Sequence, residues 1–311
     1  MNRFLLFSLS VFSMVGSITA QSNSSTTSLD SVQQLDEVII RANTILGNKY
    51  VAQNRTGASY YLGTEELGKM GYMDINRALR TVPGVNFYEE DGFGLRPNIS
   101  LRGTSPQRSS KITLMEDGVL IAPAPYSSPA AYYFPSVARM QAVEILKGSS
   151  QVQYGPFTTG GAINLVSTSI PDDFSAQLKT SLGSFNTGQV YTSVGQSSER
   201  IGYVLEYLNM NSDGFKRLGS NDNTGFDIYD LMGKLRINSK ADSKTPHSLE
   251  LKYHFYDEQS NETYLGLSEA DFAANPYSRY AASQFDQMNA DQRQIMLTHV
   301  LDFSNNLKVV T

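Results

Sequence analysis

The stretch Leu249-Glu250-Leu251-Lys252-Tyr253-His254-Phe255 alternates between apolar and polar side chains. In a β-strand successive side chains point to opposite faces, so one face of this stretch is apolar and the other carries Glu250, Lys252 and His254. The same alternation recurs in residues 176–182, 203–208, 229–237 and 295–303. The pattern predicts strands of about ten residues, each with one apolar face, as in transmembrane β-barrels.

The segments that join these strands alternate in length. Residues 196–199 and 304–306 are predicted tight turns, whereas residues 211–225 and 257–293 are long polar loops. Outer-membrane barrels have short turns on one side and long loops on the other; a soluble β-sandwich is the alternative. About seven strands are expected. Seven strands alone would leave open sheet edges, which hydrocarbon does not tolerate. The sequence therefore predicts the first part of an antiparallel transmembrane barrel that is incomplete, from a truncated sequence or a broken reading frame.

The N-terminus has the pattern of an export signal. A short basic start containing Arg3 precedes the apolar residues 4–15, and small residues lead to Ala20. The apolar run is shorter than a membrane span, so residues 1–20 are a predicted signal peptide, with a retained anchor helix as the alternative. Because Arg3 is the one charge removed, cleavage changes the net charge from −5 to −6.

The composition excludes some classes of partner and framework. The chain has no cysteine, so it has neither disulfides nor a thiol for lipid attachment. Its acidic balance argues against nucleic acid, whose binding needs clustered lysine and arginine. The 18 tyrosines and 15 phenylalanines, with 40% hydrophobic residues, fit either a soluble protein or a membrane barrel.

Residues 55–171 have the pattern of a compact α+β unit. Thr64-Glu65-Glu66-Leu67 predicts a capping box that opens a short helix, and a second helix over residues 74–80 ends at Pro83-Gly84. Strands are predicted at residues 99–103, 111–118, 143–148 and 162–166.

The order of several short motifs resembles that of a TonB-dependent outer-membrane receptor. These motifs are Asp36-Glu37-Val38-Ile39-Ile40, residues 78–85, Ile99-Ser100-Leu101-Arg102-Gly103, residues 115–119, Val143-Glu144-Ile145-Leu146-Lys147-Gly148 and residues 154–164. The resemblance implies a periplasmic segment with a TonB box (21–54), an α+β plug domain (55–171) and the first strands of a 22-stranded barrel (174–311). It also implies the cell outer membrane as location, with outer-membrane lipid around the barrel.

Within this family the chain is similar to the ferric-dicitrate receptor group at residues 122–126, 154–156 and 265–276. Ser127-Ser128 depart from that group, which tends to have glycine followed by a larger polar residue. The resemblance therefore implies active uptake of a ferric chelate, either ferric citrate or a siderophore. Haem, cobalamin, another metal or an oligosaccharide remain alternatives, and a passive porin or adhesin barrel is the alternative from a different class.

The predicted TonB box is Asp36, Glu37, Val38, Ile39 and Ile40. Its β-branched residues favour extended backbone that can add to the sheet edge of another protein. An ordinary first strand is the alternative. The resemblance implies that TonB, with its inner-membrane energising complex, pulls on this segment.

Ligand binding is expected at the outward surface of the plug. The candidates are Arg96, Arg108, Tyr126, Ser127 and Ser128, because arginine donates bidentate hydrogen bonds to carboxylates and hydroxyl groups add uncharged donors. Affinity should fall on Arg96→Ala or Tyr126→Ala. The alternative is that Arg96 and Arg108 are solvated loop residues.

A latch between plug and barrel wall is also expected, since buried charges need partners. Arg102, Glu144 and Lys147 lie on predicted plug strands, and Glu206 and Glu250 lie on the polar face of barrel strands. Arg102→Ala should loosen residues 99–118 if Arg102 pairs with a wall glutamate. The alternative is that each charge is satisfied inside the plug.

Catalysis and resident metal are not expected. The three histidines, His247, His254 and His299, lack ligand spacing, and residues 154–161 lack the Lys-Ser/Thr of a phosphate loop. No paired carboxylates or Ser-His-Asp arrangement stands out. The sequence therefore predicts that the protein is not an enzyme and has no cofactor. Iron is expected only as part of a transported chelate.

Overall fold

The computed structural model describes residues 43–71, 73–121, 128, 130, 132–154, 159–219, 223–240, 242–304 and 307–311. The predicted signal peptide and the predicted TonB box at residues 36–40 lie outside this part of the chain. Two sheets dominate it, and they have different roles: a five-stranded sheet forms the centre of an α+β unit, and a seven-stranded antiparallel sheet wraps against it.

The α+β unit contains seven strands and three helices. They are α1 (Lys49–Asn54), β1 (Ala58–Leu62), α2 (Thr64–Met70), α3 (Ile75–Leu79), β2 (Val85–Tyr88), β3 (Asn98–Leu101), β4 (Ile112–Glu116), β5 (Val119–Leu120), β6 (Met140–Lys147) and β7 (Gly161–Ser167). The main sheet has the order β1-β6-β7-β4-β5, in which β4 and β7 are parallel, and β2 pairs with β3 separately. Among the described residues, no helix is both long and apolar enough to cross a membrane.

The predicted helix at Thr64 forms, but its N-terminal cap is one residue earlier. Gly63 is the cap, and its N–H donates to the Glu66 carboxylate at 3.2 Å. Thr64 is the first helical residue, and its hydroxyl donates to the carbonyl of Gln141 on β6 at 2.9 Å. The hydroxyl therefore attaches the helix to the sheet instead of closing the capping box.

The core of the α+β unit lies on both faces of its central strands. Every residue of β4 and β7 is buried, as is nearly all of β6. Leu114, Val143, Ile145 and Leu165 are at most 1% exposed. Burying an aliphatic side chain of this size contributes about 1.5–3 kcal/mol, so this core stabilises the unit by itself.

The seven-stranded sheet is a consecutive antiparallel meander. Its strands are β8 (Ser175–Leu182), β9 (Gly188–Ser197), β10 (Ile201–Ser212), β11 (Phe226–Asn238), β12 (His247–Asn261), β13 (Gln287–Ser304) and β14 (Leu307–Val310). The expected count of about seven strands is confirmed. Four of them have 12 to 18 residues, which is longer than the usual strand of a soluble protein.

The two faces of this sheet have the burial expected of a barrel wall. Tyr203, Leu205 and Tyr207 on β10 are 39–49% exposed, whereas Lys252 and His254 on β12 are completely buried. The apolar face therefore points away from the α+β unit, and the face with the charged residues packs against it. A soluble β-sandwich would bury its apolar face, so the sandwich alternative is excluded.

The connections alternate in length as predicted, but the second long loop is shorter than predicted, because residues 257–261 and 287–293 belong to β12 and β13. Residues 198–200 and 239–246 join strands at one end of the sheet, and the long loops 213–225 and 262–286 lie at the other end. The second long loop contains a short helix, α4 (Glu269–Ala274).

Candidate functional site

A cavity of about 720 Å³ lies between the α+β unit and the two long loops. Tyr88, Glu90, Asn98 and Arg108 line it from the unit below. The loops contribute residues of both charges and several apolar groups, among them Lys216, Glu262, Tyr264, Phe272 and Arg279. The position at the long-loop end, over the ends of β2 and β3, is where the sequence analysis expected ligand.

The two long loops are joined by backbone hydrogen bonds. The N–H of Arg217 donates to the carbonyl of Tyr277 at 2.7 Å, and the N–H of Arg279 donates to the carbonyl of Arg217 at 2.8 Å. This bridge places Lys216 and Arg279 in the same wall of the cavity. Burial lowers the pKa of the Lys216 ammonium, and the positive charge of Arg279 lowers it further.

The longer loop has an internal framework. Ser268 caps α4 by accepting the N–H of Asp271 at 3.1 Å, and Tyr280 donates its hydroxyl to the Asp271 carboxylate. At the base of the loop, the N–H of Glu262 donates to the carbonyl of Asp286 at 2.8 Å. The loop therefore holds Arg279 and Tyr264 on an ordered segment.

Arg108 lines the cavity, as the sequence analysis expected of a ligand residue. Its backbone has a positive φ of 51°, and its N–H donates to Oδ1 of Asn98 at 2.7 Å. This bond holds the loop to β3 while the side chain stays exposed. Within the described residues, the side chains of Arg108, Lys216 and Arg279 form no ion pair.

Arg96 has a different role from the one expected. It is 8% exposed, and its Nη2 donates to Oε1 of Glu258 at 2.7 Å and to Oγ of Ser260 at 3.1 Å, with Glu262 at 3.7 Å. It is thus a contact between the unit and the wall, because a buried guanidinium needs a carboxylate partner. Residue 258 falls in the predicted loop 257–293, whereas in the structure β12 continues to Asn261 and Glu258 faces inward with Lys252 and His254.

Of the three remaining predicted ligand residues, the structure describes only Ser128. Tyr126 and Ser127 lie outside the described residues, and Ser128 is half-buried.

A second and larger contact with the wall is a buried ionic cluster. Arg139 donates to both carboxylate oxygens of Glu116, at 2.7 and 3.0 Å, and to Asp230 on β11 at 2.9 Å. Lys252 on β12 donates to Glu116 at 2.6 Å and to Asp117 at 2.5 Å. His254 contacts the other oxygen of Asp230 at 2.9 Å. The α+β unit is therefore attached to the wall by alternating charges that are all buried.

The predicted latch residues of the α+β unit are placed elsewhere. Arg102 is exposed, with a φ of 55°, and its guanidinium lies against Gly148. Lys147 donates to the carbonyl of Pro83 at 2.7 Å, and Glu144 accepts the N–H groups of residues 45–47. Glu144 and Lys147 are satisfied within the unit, which is the alternative stated above.

The predicted wall glutamates are also not paired with Arg102. Glu206 accepts the hydroxyl of Tyr191 on the neighbouring strand β9. Glu250 is 5% exposed and lies opposite Arg236 in the register of β11 and β12. Both carboxylates face inward as expected, but inward orientation alone did not identify the partner.

The cluster predicts acid sensitivity. Burial by itself would raise the pKa values of Glu116 and Asp117, but Arg139 and Lys252 beside Glu116, and Lys234 and Lys252 beside Asp117, hold both below their ordinary values. A carboxylate with a lowered folded-state pKa stabilises the fold above its unfolded pKa, about 4, and this contribution is lost as the pH falls through the folded pKa. We expect the contribution of this cluster to stability to be constant between pH 7 and 5 and to fall below about pH 4. Thermal unfolding of the protein from pH 7 to 3, compared between wild type and Glu116→Gln, measures this contribution, and the variant should show a weaker pH dependence. An equal slope in that variant would contradict this origin.

Comparison with known proteins agrees with this architecture. Residues 52–162 match the model of the family described as TonB-dependent Receptor Plug Domain. The vitamin B12 transporter BtuB of Vibrio vulnificus is 27% identical over 212 residues, which are 66% of this chain and 33% of that protein.

Two solved structures have the same fold. The ferric citrate transporter FecA in the unliganded form has a TM-score of 0.70 at 23% identity, over 85% of this chain and 40% of that chain. The ferric yersiniabactin uptake receptor FyuA from Yersinia pestis has a TM-score of 0.60 at 20% identity, over 80% and 38%. The chain thus spans 33–40% of the length of these relatives.

The α+β unit is a plug, and the seven-stranded sheet is part of the barrel wall that surrounds it. The family model covers the plug, and the similar structures extend over the strands that follow. Residues 52–162 therefore carry a TonB-dependent receptor plug domain, and the chain shares the fold of the two solved transport proteins over the plug and the barrel strands that follow it.

Proposed function

We propose that the protein takes up an anionic ferric chelate, ferric citrate or a siderophore complex, across the outer membrane. The observation that carries this proposal is the cavity between plug and loops with the three cations Arg108, Lys216 and Arg279 in its lining. The chemistry is transport, with iron as cargo inside the chelate.

The carboxylates in the same lining have partners of their own. Glu90 accepts the Asn98 amide at 3.0 Å, and Glu262 accepts the Ser260 hydroxyl at 3.1 Å and lies near Arg96. Glu269 lies in the first turn of α4, where the helix dipole favours negative charge. Arg108, Lys216 and Arg279 form no ion pair among the described residues, although Nη1 of Arg279 already donates to the carbonyls of Pro276 and Ser278. Tyr88 and Tyr264 supply uncharged hydroxyl donors.

Neutral ligands are distinguished by charge. One relative is a vitamin B12 transporter, and a neutral oligosaccharide is a further alternative. Haem, the other alternative, carries two carboxylates, so charge does not separate it from an anionic chelate. Three cations in the lining can pair with an anionic ligand but not with a neutral one, which favours the anionic chelate. A passive porin or an adhesin is disfavoured because neither needs a folded plug.

The partner in this proposal is TonB, supported by its energising complex in the inner membrane. Residues 21–42 are taken as the periplasmic segment, with residues 36–40 as the TonB box. Residues 43–54, which the predicted boundary assigns to that segment, pack in the plug instead. Binding equilibria cannot by themselves drive uphill transport, so the function needs this external energy.

The test is the double variant Lys216→Ala/Arg279→Ala of the full-length receptor. Each lost charge-assisted hydrogen bond should cost about 1.5–3 kcal/mol, so the affinity for ferric citrate or a ferric siderophore should fall at least about 100-fold. Equilibrium binding to the purified receptor measures this, and each single variant should be intermediate.

Lys69→Ala is the matched control. Lys69 is an exposed lysine of the plug that pairs with Glu65, and its removal should leave binding unchanged. Binding of cobalamin or a neutral oligosaccharide, without response to ferric chelates, would exclude this ligand class and leave the receptor family intact.

A further inference from the structure

Glu144 lies in the middle of β6, the strand between β1 and β7, and is completely buried. Its carboxylate accepts the backbone N–H groups of Ile45 at 2.7 Å, Leu46 at 3.0 Å and Gly47 at 2.6 Å. Within the described residues no lysine or arginine contacts it. The negative charge is therefore held by the N-terminal segment of the plug itself, and this segment follows the TonB box by a few residues.

Two further contacts hold this segment. Leu46 is 5% exposed and packs in a small apolar cluster with Met115, Leu146 and Ala162. The Nδ2 of Asn164, which lies opposite Glu144 on β7, donates to Oε2 of Glu144 at 2.9 Å and to the carbonyl of Asn43 at 3.1 Å.

Asn164 also connects the segment with the barrel wall. Its Oδ1 accepts the N–H of Gly118 at 2.9 Å. Gly118 follows Asp117, whose carboxylate binds Lys252 of the wall at 2.5 Å. A continuous series of hydrogen bonds thus runs from residues 43–47, through Glu144 and Asn164, to the ionic cluster that attaches the plug.

We propose that Glu144 and Asn164 are positioning residues that anchor residues 43–47 and transmit a pull on the TonB box into the plug, an inference that rests on the proposed coupling to TonB. A pull on residues 36–40 loads the bonds to Glu144 before it loads the sheet. Losing those donors leaves a buried carboxylate unsatisfied between β1 and β7, which destabilises the centre of the plug. Asn164 bonds both Glu144 and the N–H of Gly118, so loss of the Glu144 bonds also weakens the position of Asp117, which binds Lys252 of the wall.

The experiment is amide hydrogen exchange and uptake on the full-length receptor carrying Glu144→Gln. The amide replaces one acceptor by a donor, so exchange at residues 45–47 should accelerate about tenfold or more, while β12 keeps its protection. Uptake of ferric chelate should fall although equilibrium binding stays at the wild-type value, because the pull then extends the segment without opening the plug. A purely structural role would reduce binding and protection together.

Glu65→Gln is the matched control, since Glu65 is an exposed carboxylate of the plug that pairs with Lys69 and not with the N-terminal segment. It should leave exchange at residues 45–47 unchanged. Ile45→Pro removes one donor from the segment and leaves the sheet side chains intact, so it tests the anchor if Glu144→Gln fails to fold.

The proposal would be overturned if the amides of residues 45–47 that remain in Glu144→Gln and Ile45→Pro exchange at the wild-type rate in both variants. Wild-type uptake despite faster exchange would overturn it as well. The exchange measurement needs no ligand, so a failure of the ferric-chelate assignment is recognised separately, by absent binding in the wild-type receptor.

Discussion

Arg139→Ala is expected to destabilise the attachment of the plug by about 3–5 kcal/mol. The guanidinium is 1% exposed and binds both oxygens of Glu116 and one of Asp230. Its removal leaves two buried carboxylates with fewer counter-charges, although Lys252 still contacts Glu116 and His254 still contacts Asp230. The uncompensated negative charge, not the lost packing, should dominate the loss.

Denaturant unfolding of the full-length receptor and amide exchange over residues 112–118 and 140–147 measure this effect. Arg80→Ala is the control, because Arg80 and Glu89 form an equally short ion pair, 2.6 Å, with 55% and 34% of their side chains exposed. An exposed pair of this kind contributes below about 1 kcal/mol. Equal losses in the two variants would show that burial does not set the strength of the cluster.

The barrel strands could be predicted from the sequence because each strand carries its own signal. The alternation from Leu249 to Phe255 gives the faces of β12 without knowledge of any other strand, and the structure places Lys252 and His254 inward as that alternation requires. Four of the seven plug strands, β3, β4, β6 and β7, could be located from apolar runs that end at glycines, whereas β1, β2 and β5 could not. Local periodicity is sufficient for these elements.

The contacts between plug and wall could not be predicted, since they depend on how the plug is rotated inside the barrel. Arg96 and Glu258 are 162 residues apart, and Arg139 and Asp230 are 91 apart. The alternation predicts that Glu206 and Glu250 face inward, but it does not predict which level of the wall each plug cation reaches. Glu258 falls in a predicted loop, although β12 extends to Asn261 in the structure. Arg96 was therefore assigned to the ligand instead of to Glu258.

The ligand cavity was predicted in part for a similar reason. Arg108 could be named because it follows a plug strand at the loop end of the barrel. Lys216 and Arg279 could not, since they belong to two loops that come together through the backbone bridge at Arg217 and Ser278. Backbone pairing between loops leaves no side-chain pattern in the sequence.

Val38→Pro is expected to abolish uptake while leaving chelate binding in place. Residue 38 lies outside the described part of the chain, and the expectation rests on the chemistry of strand addition. A segment that adds to the sheet edge of TonB is held mainly by main-chain hydrogen bonds. Proline removes one N–H donor, fixes φ near −65° and restricts the residue before it, so it acts on pairing without changing charge.

Uptake of labelled ferric chelate by cells, and binding to the purified receptor, measure the two halves of this expectation. Ser28→Pro is the matched control, because it places the same residue in the polar stretch before the box and should transport normally. The residues that line the cavity are not among those that hold residues 43–47 in the described part of the chain, so binding has no reason to change. Normal uptake by Val38→Pro would show that residues 36–40 are not the coupling segment, and a parallel loss of binding would show that the proline acts on folding or export.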